Sequence, residues 1–277
     1  MRRLHLVGYP VAHSLSPVMQ NAAVEALGLD YEYSLMPVLP EELNERISTL
    51  RDPLVAGFNV TIPHKISVIP LLDALDKTAS AVGAVNTVVN DGGRLVGFNT
   101  DCTASTRALR ERYGDLEGCR AVVIGAGGAA RAVANGLALH AERIRILARD
   151  GAKAESLSRQ VQGNASVKGG SLGEATRAIR AADILVNATP VGMTPNTGTS
   201  PVPAEALHGE LLVFDLVYNP ERTRLLADAE AVGARTLGGL PMLVYQGAEA
   251  LRLWTGRAAP EALMMEMARS VIGGRGA

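Results

Sequence analysis

The chain has 277 residues, of which 47% are hydrophobic, and this is enough apolar material for the cores of one or two domains. Its net charge of −1 lacks the basic excess of a nucleic-acid-binding protein, and its apolar runs are far too short to span a membrane. His5 and Pro10 interrupt the apolar stretch at the start, which is not the pattern of a secretory signal, so we expect a cytoplasmic protein whose partners are small molecules.

The first block of the chain alternates strand-like and helix-like segments, which indicates an α/β domain with a mostly parallel sheet. It continues into two strand-like runs around the turn Asp91-Gly92-Gly93, and this spacing predicts a β-hairpin. The predicted strands cover residues 4–9, 31–38 and 55–62, and the predicted helices cover about 16–27 and 41–50.

A second block follows an amphipathic stretch after Asp101, and its strands recur at the spacing of βα units, which predicts a Rossmann-like domain. Two helices then close the chain, one from Pro241 to about Trp254 and one from about Pro260 to Ile272. The predicted strands of the second block cover residues 121–127, 143–149, 165–169, 183–189, 211–218 and 234–239.

The turn after the first strand of the second block has the pattern G-x-G-x-x-A and opens a helix. Small residues there let the backbone approach a pyrophosphate at the positive end of the helix, so we predict a dinucleotide site. The predicted contact residues are Gly125, Ala126, Gly127, Gly128 and Ala129.

The residues that would contact the adenosine ribose of a bound dinucleotide follow the next strand. Arg149 can pair with a 2′-phosphate, and Lys153 can add a second positive charge, so NADP is favoured over NAD. Asp150 opposes this preference, since a carboxylate aimed at the ribose would repel that phosphate. Two further strand ends, at residues 187–193 and 215–220, belong to the predicted carboxyl edge where such sheets bind ligands, although ordinary loop structure would also explain them.

Lysine is rare in this chain, because four lysines stand among 27 basic residues. Lys65 follows the apolar strand that Pro63 ends, together with Thr61, and a lysine can release a proton where arginine cannot. Ser14 and Ser16 lie beside a predicted helix start and suit a carboxylate, although Ser16 before Pro17 could also be a helix cap.

Asn86 and Asp101 stand at opposite ends of the hairpin in the sequence, and Lys65 precedes it. These groups could converge to supply donors and acceptors for a polyhydroxylated ligand, or each could be a turn or cap residue. The two cysteines lack a CxxC spacing and the five histidines lack a metal-ligand spacing, so neither a disulfide nor a metal is predicted.

Eight ordered segments together resemble the shikimate dehydrogenase family over nearly the whole chain. The segments are GYPVAHSLSP, NVTIPHK, GAVNT, FNTD, GAGGAAR, NATPVGM, DLVYNP and GLPMLVYQGAEALRLWTG. The resemblance implies an enzyme that reversibly reduces 3-dehydroshikimate to shikimate with NADPH. It also implies a substrate domain of residues 1–101 plus 240–277 and an inserted NADP-binding domain of residues 102–239.

The resemblance further implies roles for single residues. Lys65 and Asp101 would be the catalytic pair, and Tyr218 would touch the nicotinamide or the substrate. The implied substrate ligands are Ser14, Ser16 and Thr61 for the carboxylate, with Asn86 and Gln246 for hydroxyl groups. Thr189, Gly239 and Met242 would join the glycine turn, Arg149 and Lys153 at the cofactor.

The chain departs from the family where Ala148-Arg149-Asp150 replaces the common Asn-Arg-Thr, which weakens the NADP inference. One alternative is therefore a quinate/shikimate dehydrogenase that accepts NAD. An alternative of another class is a non-catalytic dinucleotide-sensing protein, since a fold alone does not establish catalysis. The oligomeric state expected is a monomer or a homodimer.

Overall fold

A computed structural model describes residues 1–274 of the chain. The chain divides into two compact units. The first unit is formed by Met1–Thr100 and the C-terminal segment from Val244, and the second unit is Asp101–Leu243.

Strands and helices largely alternate along the described residues, apart from a strand hairpin in the first unit and two consecutive helices in its C-terminal segment. The strands are β1 (Arg2–Gly8), β2 (Tyr31–Pro37), β3 (Val55–Val60), β4 (Ala74–Leu75), β5 (Thr87–Asp91), β6 (Arg94–Phe98), β7 (Arg120–Ile124), β8 (Arg143–Ala148), β9 (Ser166–Ser171), β10 (Ile184–Asn187), β11 (Leu212–Asp215) and β12 (Arg235–Leu237). The helices are α1 (Ser16–Ala26), α2 (Leu43–Thr49), α3 (Lys77–Val82), α4 (Thr100–Tyr113), α5 (Gly128–Ala138), α6 (Gly151–Ser158), α7 (Ala175–Arg180), α8 (Arg224–Ala231), α9 (Leu240–Thr255) and α10 (Glu261–Gly274).

The first unit contains a mixed sheet of strand order β2-β1-β3-β5-β6-β4 over the described residues. β5 is antiparallel to β3 and β6, and the other pairs are parallel. In the hairpin Asp91 faces Arg94 across the predicted Gly92-Gly93 turn, and Thr87 faces Phe98. The open end of the hairpin therefore lies at the same edge as the carboxyl ends of β1 and β3.

Trp254 of helix α9 packs against the middle of this sheet. The indole Nε1 donates to the Val88 carbonyl oxygen at 2.8 Å, and Gly57 on β3 lies directly under the ring. A Cβ at Gly57 would collide with both the indole and that carbonyl oxygen, so the close approach of Trp254 requires glycine here.

The second unit contains a parallel sheet of strand order β12-β11-β10-β7-β8-β9. This is the doubly wound order in which the winding reverses between β7 and β10, and ligands bind at the carboxyl ends of the strands beside that reversal. Its core is a layer of aliphatic side chains that includes Val122, Leu185 and Val213 from neighbouring strands.

The predicted α/β class, with a hairpin in the first sheet and a Rossmann-like second sheet, is confirmed. The sequence patterns predict no element between residues 63 and 85, where the structure has β4 and α3. Both are short, and α3 begins where the Asp76 carboxylate accepts hydrogen bonds from the main-chain N–H groups of Thr78 and Ala79. Within residues 1–274 no helix has the length and apolar character needed to cross a bilayer.

Candidate active site

The two predicted carboxylate ligands of the first unit lie side by side after β1. The Ser14 hydroxyl donates to Ser16 Oγ at 3.1 Å, and Ser14 Oγ accepts from the Ser16 main-chain N–H at 3.2 Å. Ser16 is the first residue of α1, and its side chain bonds to Ser14 rather than to the N–H groups of the first turn. Helix capping therefore does not explain Ser16.

Tyr33 begins a buried hydrogen-bonded chain that leads to the hairpin. Its buried phenol donates to Asn59 Oδ1 at 2.8 Å. Burial raises the pKa of Tyr33 far above its ordinary value. The phenol consequently stays neutral and keeps its one hydrogen to donate.

Asn59 connects Tyr33 to the hairpin. Its Nδ2 donates to the Asn86 carbonyl oxygen and to Thr87 Oγ1, both at 3.0 Å. A carbonyl oxygen can only accept, so this contact fixes the orientation of the Asn59 amide and leaves Oδ1 facing Tyr33.

Asn86 and Gln246 complete the network at the open end of the hairpin. Asn86 Oδ1 accepts from the Thr100 N–H at 2.7 Å, and its Nδ2 donates to Thr100 Oγ1 at 2.8 Å and to Gln246 Oε1 at 3.2 Å. The Thr100 hydroxyl donates to the Gln246 carbonyl oxygen at 3.1 Å. Gln246 therefore accepts with Oε1, which makes its Nε2 the group able to donate to a ligand hydroxyl.

Thr61 and Lys65 follow β3 at this same edge of the sheet. The Thr61 N–H donates to the Val7 carbonyl oxygen at 2.9 Å, and the Lys65 carbonyl oxygen accepts from the Val85 N–H at 2.7 Å. The second contact anchors the main chain of Lys65 beside the residue that precedes Asn86. All the predicted ligands of the first unit thus lie at one edge, where one hydrogen bond joins Ser14 to Ser16 and another joins Asn86 to Gln246.

The second unit begins with the other predicted catalytic residue. Asp101 lies in the first turn of α4 and is buried, with 4% of its surface exposed. It directly follows Thr100 in the chain.

The glycine turn has the geometry that a pyrophosphate requires. Gly125 follows β7 with φ +118°, a conformation that strongly favours glycine, and its N–H donates to the Leu147 carbonyl oxygen at 2.8 Å. Gly127 is the N-cap of α5, and a Cβ built on it meets no atom within 4 Å. This open space before the N-terminus of α5 leaves room for a phosphate group, so the residues present fit a dinucleotide.

The structure gives Asp150 a role that the sequence did not predict. Its carboxylate accepts from the N–H groups of Ala152 at 3.1 Å and Lys153 at 3.3 Å, and it therefore caps α6. Lys153 Nζ lies 3.8 Å from the same carboxylate. Arg149 is exposed, and no hydrogen bond or ion pair joins it to any other described residue. Its guanidinium is available for a phosphate.

The ends of β10 and β11 are joined by a buried polar network rather than by ordinary loop structure. Asn187 Nδ2 donates to Asp215 Oδ1 at 2.9 Å, and Asp215 Oδ2 accepts from the Thr223 hydroxyl at 2.7 Å. Burial raises the pKa of Asp215, while its hydrogen bonds act in the opposite direction. Thr189 Oγ1 donates to Asn187 Oδ1 at 2.6 Å, so this network also positions a predicted cofactor residue.

Tyr218, Gly239 and Met242 lie around the end of β11 and the start of α9. Tyr218 is half-buried, and the Gly239 N–H donates to the Val217 carbonyl oxygen at 3.2 Å, one residue before Tyr218. Met242 is buried in the first turn of α9. Within residues 1–274 no group of three or more acidic, histidine or cysteine side chains is arranged to hold a metal ion.

Three segments of the chain, which together include parts of both units, match known protein families. Residues 6–88 match the shikimate dehydrogenase substrate binding domain, residues 107–216 match shikimate / quinate 5-dehydrogenase, and residues 239–269 match the shikimate 5′-dehydrogenase C-terminal domain. The chain is 49% identical to a shikimate dehydrogenase (NADP+) of Methanopyrus kandleri over 94% of its own length and 92% of that protein. The chain belongs to the shikimate dehydrogenase family.

Solved structures of shikimate dehydrogenases superpose on nearly the whole chain. One in complex with NADP+ has a TM-score of 0.91 at 40% identity, covering 98% of this chain and 96% of that one. Another, from Thermus thermophilus in complex with NADP(H) and shikimate, has a TM-score of 0.87 at 41% identity, covering 98% of this chain and 99% of that one. The predicted family and the predicted oxidoreductase class are confirmed by these similarities.

The sequence did not predict the buried residues that form the hydrogen-bond networks next to the candidate ligands. Tyr33, Asn59 and Thr87 form a buried hydrogen-bonded group that reaches Asn86 in the first unit, and Asp215 with Thr223 joins the strand ends of the second. The sequence does show polar side chains inside otherwise apolar strands. Such side chains need hydrogen-bond partners when they are buried, and this could have identified them.

Proposed function

We propose that this chain catalyses the reversible NADPH-dependent reduction of 3-dehydroshikimate to shikimate in the biosynthesis of aromatic amino acid precursors. The observation that carries the proposal is the polar edge of the first sheet, where the Ser14 and Ser16 pair offers hydroxyl groups suited to a carboxylate and the hydrogen-bonded Asn86 and Gln246 offer amide groups suited to substrate hydroxyls. The shikimate-bound relative supports the same substrate, and the prediction of NADP as cofactor is confirmed by the NADP complexes.

The substrate carboxylate accepts hydrogen bonds from Ser14, Ser16 and Thr61 in this proposal. Neutral hydroxyl donors beside the N-terminus of α1 suit an anion without a buried counter-charge. At the other end Gln246 donates through Nε2, and Asn86 holds that orientation by donating to Gln246 Oε1.

Lys65 and Asp101 are the proposed catalytic pair. When bound, the nicotinamide supplies or accepts the hydride. The carbonyl oxygen of the ketone then needs a proton, which a side chain within hydrogen-bond reach must deliver. In this proposal Lys65 delivers it, and Asp101 is the second catalytic residue, acting on a substrate hydroxyl. The anchored main chain of Lys65 beside Asn86 supports this role.

The cofactor-binding residues belong to the second unit. The turn Gly125 to Ala129 holds the pyrophosphate, and Arg149 with Lys153 holds the 2′-phosphate through charge-assisted hydrogen bonds. Thr189, Tyr218, Gly239 and Met242 line the nicotinamide end. Residues 1–101 plus 240–277 thus form the substrate domain and residues 102–239 the NADP-binding domain in this proposal.

Initial rates with the purified chain test the function. We expect formation of NADPH from shikimate and NADP+, followed by its absorbance, to have the highest kcat/KM among the four pairings of shikimate or quinate with NADP+ or NAD+. A preference for quinate or NAD+ would replace the proposal by the quinate/shikimate dehydrogenase alternative. Binding of NADP+ without turnover of either acid would indicate a dinucleotide-sensing protein.

The near-neutral charge supports small molecules rather than nucleic acid as partners. We propose a cytoplasmic monomer or homodimer, and sedimentation of the purified chain would test its oligomeric state.

A further inference from the structure

We propose that Asp215 is a positioning residue of the cofactor site, and that it acts through Asn187 to hold residues 188–191 against the glycine turn. The inference rests on the proposed function, because it takes Thr189 and the glycine turn as groups that contact the dinucleotide. Asp215 has 0% of its surface exposed, so it can influence a bound cofactor only through its neighbours.

The ends of three neighbouring strands place Asn187 between Asp215 and the glycine turn. Asn187 is the last residue of β10, where it pairs with Asp215 of β11 on one side and with Ile124 of β7 on the other. Gly125, the first residue of the turn, directly follows Ile124. The Ala188 N–H donates to the Ile124 carbonyl oxygen at 2.9 Å, so the chain that leaves β10 stays beside the turn.

Main-chain groups fix the orientation of the Asn187 side-chain amide. The Thr189 N–H can only donate, and it donates to Asn187 Oδ1 at 3.0 Å. The Val191 carbonyl oxygen can only accept, and it accepts from Asn187 Nδ2 at 3.2 Å. Nδ2 uses its other hydrogen for Asp215 Oδ1 at 2.9 Å. The amide therefore joins the acid to the residues that follow β10.

Asp215 is a buried acid held by neutral donors. Its Oδ1 also accepts from the Val217 N–H at 3.1 Å, and its Oδ2 accepts from the Thr223 hydroxyl at 2.7 Å. Among residues 1–274 it has no ion-pair partner, so these bonds and the one from Asn187 are its hydrogen bonds. A rotation of Asn187 would take one of them from a buried carboxylate, which costs free energy, and the acid therefore resists that rotation.

Thr189 shows what this orientation does at the site. Its hydroxyl donates to Asn187 Oδ1 at 2.6 Å and accepts from the Val191 N–H at 3.3 Å. The methyl group of Thr189 lies against the turn, since a Cβ built on Gly125 would be 3.2 Å from the methyl carbon and 3.1 Å from the Ala188 carbonyl oxygen. A shift of residues 188–191 would therefore change the space beside the glycine turn, where the dinucleotide is proposed to bind.

The Asp215→Leu variant tests the inference by titration calorimetry of the full chain with NADP+. Leucine cannot accept from Asn187, so we expect Kd for NADP+ to rise about tenfold, the upper effect of one hydrogen bond. KM for shikimate at saturating NADP+ should stay within about twofold of wild type, because the residues that move are not proposed substrate ligands. An unchanged Kd would overturn the inference.

Asp215→Asn is the conservative variant. The asparagine oxygen still accepts from Asn187, and its amide can donate to the Thr223 oxygen, since a hydroxyl also accepts. We expect Kd for NADP+ within about twofold of wild type. A rise of about tenfold in this variant as well would show that the bond to Asn187 is not what matters, and the inference would be wrong.

Asp183→Asn is the matched control for a loss of stability. Asp183 immediately precedes β10, at the opposite end of the strand from Asn187, and pairs with Arg120. The variant should be less stable than wild type and keep the wild-type Kd for NADP+. If it raised Kd as much as Asp215→Leu does, lower stability alone would explain the effect and the inference would fail.

A double-mutant cycle tests whether Asp215 acts through residues 188–191. Thr189→Val keeps the shape of the side chain and removes its bond to Asn187. If both changes release the same segment, the increase in Kd in the double variant is smaller than the product of the two single increases. A full product would mean that the residues act independently, which contradicts the inference.

Thr223→Val replaces Asp215→Leu if that variant does not fold. It removes one donor to Asp215, and Thr223 is itself 1% exposed, which keeps it from touching a cofactor. We then expect Kd for NADP+ to rise about threefold, and a wild-type Kd would refute the role of Asp215.

Titration requires no turnover, so the two proposals fail separately. A wild-type chain that binds NADP+ but does not oxidise shikimate contradicts the proposed function, and the comparison of Kd values still decides the role of Asp215. An active wild type with an unchanged Kd in Asp215→Leu contradicts only the role of Asp215.

Discussion

Asp150 places a negative charge beside the two basic side chains proposed to bind the 2′-phosphate. Its carboxylate caps α6 and lies 3.8 Å from Lys153 Nζ, so removing the residue would also remove a helix cap. Asp150→Thr keeps an oxygen that can accept from the first turn and removes the charge. We expect kcat/KM with NADP+ to rise about threefold relative to NAD+, since exposed charges act weakly through solvent.

Two controls accompany the Asp150→Thr measurement. The gain should shrink as the ionic strength rises, because salt screens exposed charges. Asp150→Ala loses the cap as well as the charge, and its thermal midpoint should be lower than that of Asp150→Thr. If NADP+ preference is the same in all three proteins, the Asp150 charge has no influence on cofactor choice.

At the scale of single elements, the close contact between α9 and β3 depends on one glycine. Gly57→Ala would drive a methyl group into the Trp254 indole and the Val88 carbonyl oxygen. We expect the free energy of unfolding to fall by about 3 kcal/mol, the upper part of the usual range for overpacking. Chemical denaturation measures this change. Gly173→Ala is the control, because its nearest contact is Ser171 Oγ at 3.5 Å, and it should leave stability nearly unchanged.

The neighbouring strands β7 and β10 are tied at their start by an ion pair that predicts a pH dependence. Arg120 Nη2 donates to Asp183 Oδ1 at 2.7 Å, and this pairing lowers the pKa of Asp183 below its ordinary value. A carboxylate whose pKa is lower in the folded state stabilises the fold above its ordinary pKa of about 4 and loses that effect as the pH falls. The free energy of unfolding should therefore decrease below about pH 4.

Asp183→Asn tests the assignment of this acid sensitivity. The variant should be less stable than wild type at neutral pH, and the difference should narrow as the pH approaches about 2 to 3. Thermal unfolding across this range measures both curves. Parallel curves would mean that the Arg120–Asp183 pair does not contribute to the pH dependence.

For the molecule as a whole, local patterns predicted the elements that carry strong signals. Buried strands such as β3 and β7, the hairpin turn and the glycine turn at Gly125 each have a pattern set by neighbours in the sequence. These local patterns do not predict which residues that are far apart in the sequence will be in contact in the fold. Tyr33 and Asn59 lie 26 positions apart, and nothing in either strand reveals that their side chains share a hydrogen bond.

In the candidate site too, local patterns predicted some features and long-range contacts determined the others. Ser14, Ser16, Lys65 and Asn86 were selected from the sequence as candidates for a polar pocket, yet their turn and cap explanations stayed open. For Ser16 the cap explanation is removed because its hydroxyl bonds to Ser14 and not to the first turn of α1. Asp150 shows the converse case, because a carboxylate that looked like a cofactor determinant in the sequence is also a helix cap.

Proton delivery by Lys65 is the central step of the proposed NADPH-dependent reduction. The most direct test is kcat and KM for shikimate with NADP+ in Lys65→Ala beside wild type, with Lys77→Ala as the control because Lys77 is an exposed lysine at the start of α3. We expect kcat to be lower by about 10² to 10⁴-fold in Lys65→Ala with a much smaller change in KM, and wild-type values in Lys77→Ala. Near-normal turnover by Lys65→Ala would contradict this role of Lys65.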